Sequence, residues 1–256
     1  MRGSILCFMV RALVVSAVVL ASGAAAGPAP QRITVDDFES KATSAGLPAG
    51  WEELYFEKIP GHTTYTVRQE GGDRFLHAEA RRSASGLVKR LSVDLQEYPL
   101  LKWRWRVPAT LPKGDARRKS GDDYPARLYV NFRYDPERVG FWTRLKYSLA
   151  KKRLGEYPPL HTVNYIWANK LERGTFLPNA FTDRAMMIAV RSGDEDTGQW
   201  LNESRNVYAD YRRAFAEEPT RVIAVAVMTD TDNTGSAASA DYDDIRFEAP
   251  PDESRR

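Results

Sequence analysis

The chain has 256 residues, 43% hydrophobic and 11% aromatic, with 37 Lys+Arg against 34 Asp+Glu and a net charge of +3. That is enough apolar material for one large domain with its own core. The charge balance is too even for a nucleic-acid binder, which shows a strongly basic domain or stripe, and the lone cysteine, Cys7, offers no disulfide framework.

The N-terminus reads as a processing signal. Arg2 and Arg11 supply positive charge, residues 12–21 are apolar apart from Ser16, and Ala24-Ala25-Ala26 before Gly27 forms an A-x-A-type cleavage site. The apolar run is about half of the roughly 20 residues that a spanning helix needs. Residues 1–26 are therefore expected to be a signal peptide cleaved near Ala26, giving a periplasmic or secreted protein; an uncleaved anchor is the competing reading. With no cysteine at the cleavage site, a lipoprotein is not expected. Cleavage removes Arg2 and Arg11 and leaves 35 basic against 34 acidic side chains.

Residues 27–32 form a Pro-rich linker. Strands are expected over 33–38 and 51–56. Residues 63–69 and 74–80 alternate and flank Glu70-Gly71-Gly72-Asp73, whose glycines suit a tight hairpin turn. A further strand over 86–95 places Leu87, Leu91, Val93 and Leu95 on one face. The most informative stretch follows. In 101–107, Leu101, Trp103, Trp105 and Val107 alternate with Lys102, Arg104 and Arg106; in 126–133, Ala126, Leu128, Val130 and Phe132 alternate with Arg127, Tyr129, Asn131 and Arg133. Successive strand side chains point to opposite faces, so each strand has one greasy and one polar, cationic face. The charged, Pro- and Gly-rich segment 108–125 between them is long for a bare connection, which favours a functional or mobile loop.

Residues 139–154 change period. Phe141, Leu145 and Leu149 recur at four-residue spacing beside Trp142, with Arg144, Lys146, Lys151, Lys152 and Arg153 elsewhere. An amphipathic helix is expected, packed across one end of the domain; its basic and aromatic content would also suit peripheral contact with an anionic membrane. Strands are expected over 164–169 and 185–191, a helix over 204–215, a central strand over 221–230 and a last strand over 242–248. Pro250-Pro251 ends the domain, leaving 249–256 as a disordered tail. About ten strands and two short peripheral helices indicate an all-β fold, a jelly-roll-like β-sandwich over 33–248, with a β-barrel as the alternative.

Three constellations stand out. Arg104, Arg106, Arg127, Tyr129 and Asn131 would share a cationic surface if their strands lie in one sheet, with Asn164 or Trp167 joining it; such a surface suits an acidic saccharide or another anionic cell-envelope polymer. Asp122 and Asp123, with Asp230, Asp232 and Asn233, form oxygen-rich clusters of a type that binds Ca2+, without the spacing of an EF-hand; the competing reading is turn chemistry. Asp36, Asp37 and Glu39 at one end of the domain, with Asp241, Asp243 and Asp244 at the other, would repel unless a cation or basic side chain lies between them. No catalytic residue is assigned. His62, His77 and His161 lack metal-binding spacing, and there is no G-x-S-x-G elbow.

The segments LLKWRWRV, KSGDDYPARLYVNF, HTVNYIWAN, ESRNVYADYRRAF and VMTDTDNTGSAASADYDDIRF, in this order, resemble a bacterial family of exported proteins, the domain-of-unknown-function family 3047. The resemblance implies export and a β-sandwich, and brings no catalytic residues. More distantly, VDDFES and DYDDIRF resemble the terminal strands of jelly-roll carbohydrate-binding modules. That likeness implies adjacent first and last strands, with acids such as Asp36, Glu39 and Asp244 on a structural calcium. Together these features lead to the expectation of an exported, non-catalytic protein that binds a saccharide or anionic envelope component; a carbohydrate-active hydrolase or lyase on the same scaffold is the alternative.

Overall fold

The computed structural model describes residues 31–251, apart from 41, 42, 44 and 45. The expected signal peptide and most of the linker and tail lie outside the described residues. In chain order the elements are β1 (Arg32–Asp36), β2 (Trp51–Tyr55), β3 (Thr64–Glu70), β4 (Asp73–Arg81), β5 (Ala84–Val93), β6 (Leu100–Arg106), β7 (Arg127–Phe132), α1 (Phe141–Leu154), β8 (Thr162–Ala168), β9 (Phe176–Asn179), β10 (Thr182–Ser192), β11 (Leu201–Asn206), α2 (Val207–Phe215), β12 (Val222–Asp230) and β13 (Ala237–Glu248).

Two sheets face each other. One has the order β11-β6-β13-β4-β3, with β1 also on β13; the other runs β2-β5-β12-β7-β8-β10-β9. Every pairing is antiparallel except β8 with β10. Both sheets are open at their edges, so the fold is a β-sandwich and the barrel alternative is set aside. The first and last strands are neighbours, Ile33 opposite Phe247. The β3–β4 turn uses Gly71 and Gly72 at φ of 61° and 100°, a conformation that side chains with a Cβ avoid.

The alternation read from the sequence sets the core. Leu101, Trp103, Trp105 and Val107 meet Leu128, Val130, Phe132, Tyr165 and Trp167 between the sheets, all essentially buried. Trp103 lies 5.3 Å from Tyr165, and Trp105 lies 5.9 Å from Trp167, by ring centroids. Each aromatic ring of this kind removes about 150–250 Å² from water, worth roughly 4–6 kcal/mol before conformational entropy is subtracted.

Four local features depart from expectation. Residues 201–206 form an edge strand on β6 rather than the start of a helix. The helix begins only at Val207, where the Asn206 side chain accepts from Ala209 N at 2.9 Å as an N-cap. The short edge strand β9 contains Pro178 and carries no alternation signal. The loop 108–125 is packed down on the β7–β12 sheet: Ala116 and Tyr124 join Ile166, Ala168, Leu171, Met187 and Ala189 in a second small core. Asn169 pins it, accepting from Leu111 N and donating to Asp123 O, each at 2.8 Å. A Cβ on Gly114 would sit 2.0 Å from Asn169 Nδ2, so the close approach requires glycine. Finally, α1 turns its apolar stripe outward, and only Tyr147 is buried, stacked on Tyr134 at 4.3 Å. No described helix is long and apolar enough to cross a membrane.

Candidate functional site

The residues expected to share one cationic surface lie on opposite outer faces of the sandwich. Arg104 and Arg106 are on β6, whereas Arg127, Tyr129 and Asn131 are on β7 in the other sheet. Trp167 belongs to neither face. Its position on β8 points it between the sheets, where it is fully buried and donates to Gly193 O at 3.0 Å. Alternation along a strand is visible in a sequence; which strand becomes its neighbour is not.

The β6 face is a ladder of neutralised charge. In register, Asp241 lies opposite Arg106 and Asp243 opposite Arg104. Arg106 Nε donates to Asp241 at 2.8 Å and Arg104 Nε to Asp243 at 3.0 Å. Glu70 and Asp73 from the β3–β4 hairpin add a second carboxylate to each arginine, and Lys102 meets Glu248 at 2.6 Å. Trp200 covers both guanidiniums, 4.9 Å from each. Burial pushes the Asp243 carboxyl up to about 6 despite Arg104 beside it. This face has little charge left for an anionic ligand.

The other outer face holds a cleft of about 890 Å³. Its floor comes from three adjacent strands: Arg127 and Tyr129 on β7, Asn164 on β8, and Met228 and Asp230 on β12. Tyr129 lies opposite Asn164 and Met228 opposite Arg127, so the register brings these side chains together. The loop 108–125 adds Asp122, the turn after β12 adds Asp232 and Asn233, and Asn179 closes one side. The mouth is more apolar. Tyr55 and Phe181 stand there 49% and 57% exposed, beside Phe56 and Leu154. An apolar mouth over a few converging polar groups is the usual makeup of a small-molecule site.

Arg127 is the hub. Its Nε donates to Asp230 Oδ1 at 2.8 Å, its Nη2 donates to Asp230 Oδ2 and to Asp122 O, and its Nη1 to the Tyr129 hydroxyl at 3.2 Å. Its guanidinium also sits 4.2 Å from the Tyr124 ring. Burial opposes the arginine charge, but Asp230, Tyr129 and Asp122 hold its pKa well above the ordinary range. The Asp230 carboxyl is pushed up to about 8, first by burial and then by Asp123 and Asp122, against the pull of Arg127. Burial likewise raises Asp232 and Tyr129. Two floor oxygens, Asp122 Oδ1 and Asn164 Oδ1, are buried without a hydrogen-bond partner, a condition that few native buried polar atoms show.

Three acids of the predicted metal set do converge: one oxygen each from Asp123, Asp230 and Asp232 lies within 4.8 Å of the others. The oxygens of Asp123 and Asp230 are already engaged, however. Asp123 accepts from Asn233 N at 3.2 Å and Thr234 N at 2.6 Å, stapling the turn after β12, while both oxygens of Asp230 face Arg127. Calcium takes six to eight oxygens from carboxylates, carbonyls and water; this cluster brings three carboxylates, two of which already accept hydrogen bonds from within the protein. At the joined termini the balancing charge is basic: Asp36 contacts Lys89 Nζ at 2.6 Å and Trp51 Nε1 at 2.7 Å, and Asp244 lies 3.3 Å from Arg104. Glu39 stands apart from both, accepting from Arg74 N at 3.2 Å.

Sequence reasoning missed Tyr55, Phe181, Asn179 and Met228. No local pattern around these four residues marks them as lining a cleft.

A family profile described as "Protein of unknown function (DUF3047)" matches residues 49–246. No curated protein matches. Among solved structures, the family 30 carbohydrate-binding module of a Clostridium thermocellum cellulosomal cellulase is similar at 11% identity and a TM-score of 0.40, covering 86% of this chain and 99% of that one. Carbohydrate-binding module CBM27-1 of Caldicellulosiruptor saccharolyticus, in complex with mannohexaose, is similar at 11% and 0.37, covering 86% and 98%. The K3 adhesin domain of Lys-gingipain from Porphyromonas gingivalis is similar at 13% and 0.36, covering 86% and 100%. Likeness at this level transfers no residue role.

Proposed function

The chain belongs to the DUF3047 family, and from the geometry of the β7–β12 cleft we propose that it is an exported, non-catalytic protein that binds a neutral, hydroxyl-rich saccharide there. The observation that carries this reading is a cleft of about 890 Å³ in which a polar floor of Arg127, Tyr129, Asn164 and Asp122 lies under a mouth that exposes Tyr55 and Phe181. Sugar hydroxyls both donate and accept, which suits a floor of carboxylate, amide, phenol and guanidinium groups, and the faces of Tyr55 and Phe181 offer apolar surface to a pyranose ring. Charge narrows the ligand. Arg127 is already taken up by Asp230, the Asp122 carbonyl and the Tyr129 hydroxyl, so among the described residues the floor offers no free cation to an anionic polymer. Export rests on the N-terminal pattern of residues 1–26.

Binding to a panel of neutral and acidic polysaccharides tests the reading. Tyr55→Ala with Phe181→Ala removes exposed rings, so the fold should survive while affinity falls on the order of tenfold. Unchanged affinity in that variant, or binding confined to acidic polymers, would overturn it.

One observation favours a second reading, a hydrolase or lyase. A carboxyl pushed up to about 8 suits proton transfer near neutral pH. Against it, Arg127 spans both oxygens of Asp230. Release of reducing ends or unsaturated products from the same panel, lost in Asp230→Asn, would establish it.

A further inference from the structure

Helix α1 wears its apolar stripe on the outside. At 100° per residue, Phe141, Trp142, Leu145 and Leu149 fall within roughly a third of the circumference. They are 65%, 78%, 45% and 58% exposed. Tyr147 points away from this stripe and anchors the helix on Tyr134 and Leu160. A helix recruited only to cover a core would be turned the other way, with its stripe inward.

The same helix carries Arg144, Lys146, Lys151, Lys152 and Arg153 and no acidic residue. Among the described residues only Arg153 has a carboxylate partner, Glu57 at 2.7 Å; Lys151 lies over the Tyr157 ring at 4.5 Å. Gly140 and the left-handed Gly155 bound it at 14 residues, about 21 Å long, too short to span a bilayer and suited to lying flat on one.

We propose that α1 is a membrane-docking helix that seats on an anionic lipid surface, its Phe, Trp and Leu side chains in the headgroup–acyl boundary and its unpaired lysines and arginines on lipid phosphates. Lys152 falls within the apolar stripe and Lys146 and Arg153 beside it, so apolar and cationic side chains share the outward surface, as contact with both acyl chains and headgroup phosphates requires. The charge argues against a second copy of the chain as occupant, because an isologous pairing of α1 with itself would set five cations against five. Arg153 and Leu154 also line the mouth of the cleft, so docking sets that mouth beside the headgroups. The proposal does not depend on the saccharide reading.

Co-sedimentation of the full chain with vesicles of phosphatidylcholine, and of phosphatidylcholine mixed with phosphatidylglycerol, tests it, read together with quenching of Trp142 by nitroxide-labelled lipid. Binding is expected only with phosphatidylglycerol and should weaken as salt is raised. It should drop at least tenfold in Leu145→Glu with Leu149→Glu, and in Lys146→Glu with Lys152→Glu, both exposed pairs whose circular dichroism should match the wild type. Trp142→Phe should remove most of the lipid quenching, which assigns the contact to α1 whatever the N-terminal residues contribute. Unquenched Trp142, equal binding to both vesicle types, or a vesicle-independent dimer abolished by Leu145→Glu with Leu149→Glu would each overturn the proposal, the last in favour of a self-association face.

Discussion

The two outer faces of the sandwich start from the same chemistry and end differently. On β6, Arg104 and Arg106 meet in-register carboxylates from β13, and hairpin acids and Trp200 complete the cover. On β7, Arg127 also finds an aspartate, Asp230, but the loop 108–125 and the turn after β12 rise around the pair as walls. The first arginines are about one-fifth exposed, whereas Arg127 is almost wholly buried. An arginine–aspartate pair on a strand is thus a surface ladder or the floor of a cleft according to what covers it.

The contrast is broken or sharpened most strongly by removing one acid from each face. Asp230→Ala leaves a buried guanidinium without its main partner and should cost about 3–5 kcal/mol of unfolding free energy. Asp243→Ala leaves Arg104 with Asp73 and Asp244 in partly wet surroundings and should cost roughly 1 kcal/mol. Urea denaturation of the two variants reads the difference, and equal losses would erase the distinction between the faces.

A smaller effect is expected from pH. Asp230 and Asp243 have native values raised above the ordinary carboxylate range, to about 8 and about 6. The folded state therefore holds protons that the unfolded chain has already released, and each group's contribution falls as pH rises from about 4 to its native value. Asp243→Asn should flatten the decline between about pH 4 and 6, and Asp230→Asn the part that continues to about pH 8, each measured against wild type as the urea midpoint across pH. A midpoint that climbs steadily through this window in wild type, and is unaltered in both variants, would contradict the assignment.

The smallest effect concerns metal. Because the oxygens of Asp123 and Asp230 are already engaged, exchanging millimolar calcium for EDTA should move the melting temperature by less than about 1 °C. A site bound far above its Kd would add several kcal/mol by mass action, so a rise of several degrees would show that the acidic cluster opens to hold a cation.

Much of the sandwich was legible beforehand. Trp103, Trp105, Leu128, Val130 and Phe132 announce inward faces because strand periodicity is two, and Gly71-Gly72 marks its hairpin. Asn206 was harder to place, since the helical spacing of Val207, Tyr211 and Phe215 extends back over a strand that only pairing with β6 defines. In the site, Arg127, Tyr129, Asn164, Asp122, Asp230 and Asp232 were singled out from the sequence and lie in one cleft. Arg104, Arg106 and Trp167 were grouped with them and lie elsewhere. Tyr55 and Phe181 went unseen, because an exposed aromatic in a short strand or turn looks the same whether or not a cleft opens beside it.

By itself, then, the sequence determined the inward and outward sides of each long strand and the all-β class, because those follow from local geometry and the burial of apolar side chains. Only the tertiary structure decided which strands are neighbours, which arginine is buried, and which way α1 turns its apolar stripe. The first two depend on contacts between segments more than a hundred residues apart, such as Arg127 with Asp230 and Arg104 with Asp243, the third on Tyr147 packing against Tyr134 and Leu160, and no local pattern encodes the partner of a charge.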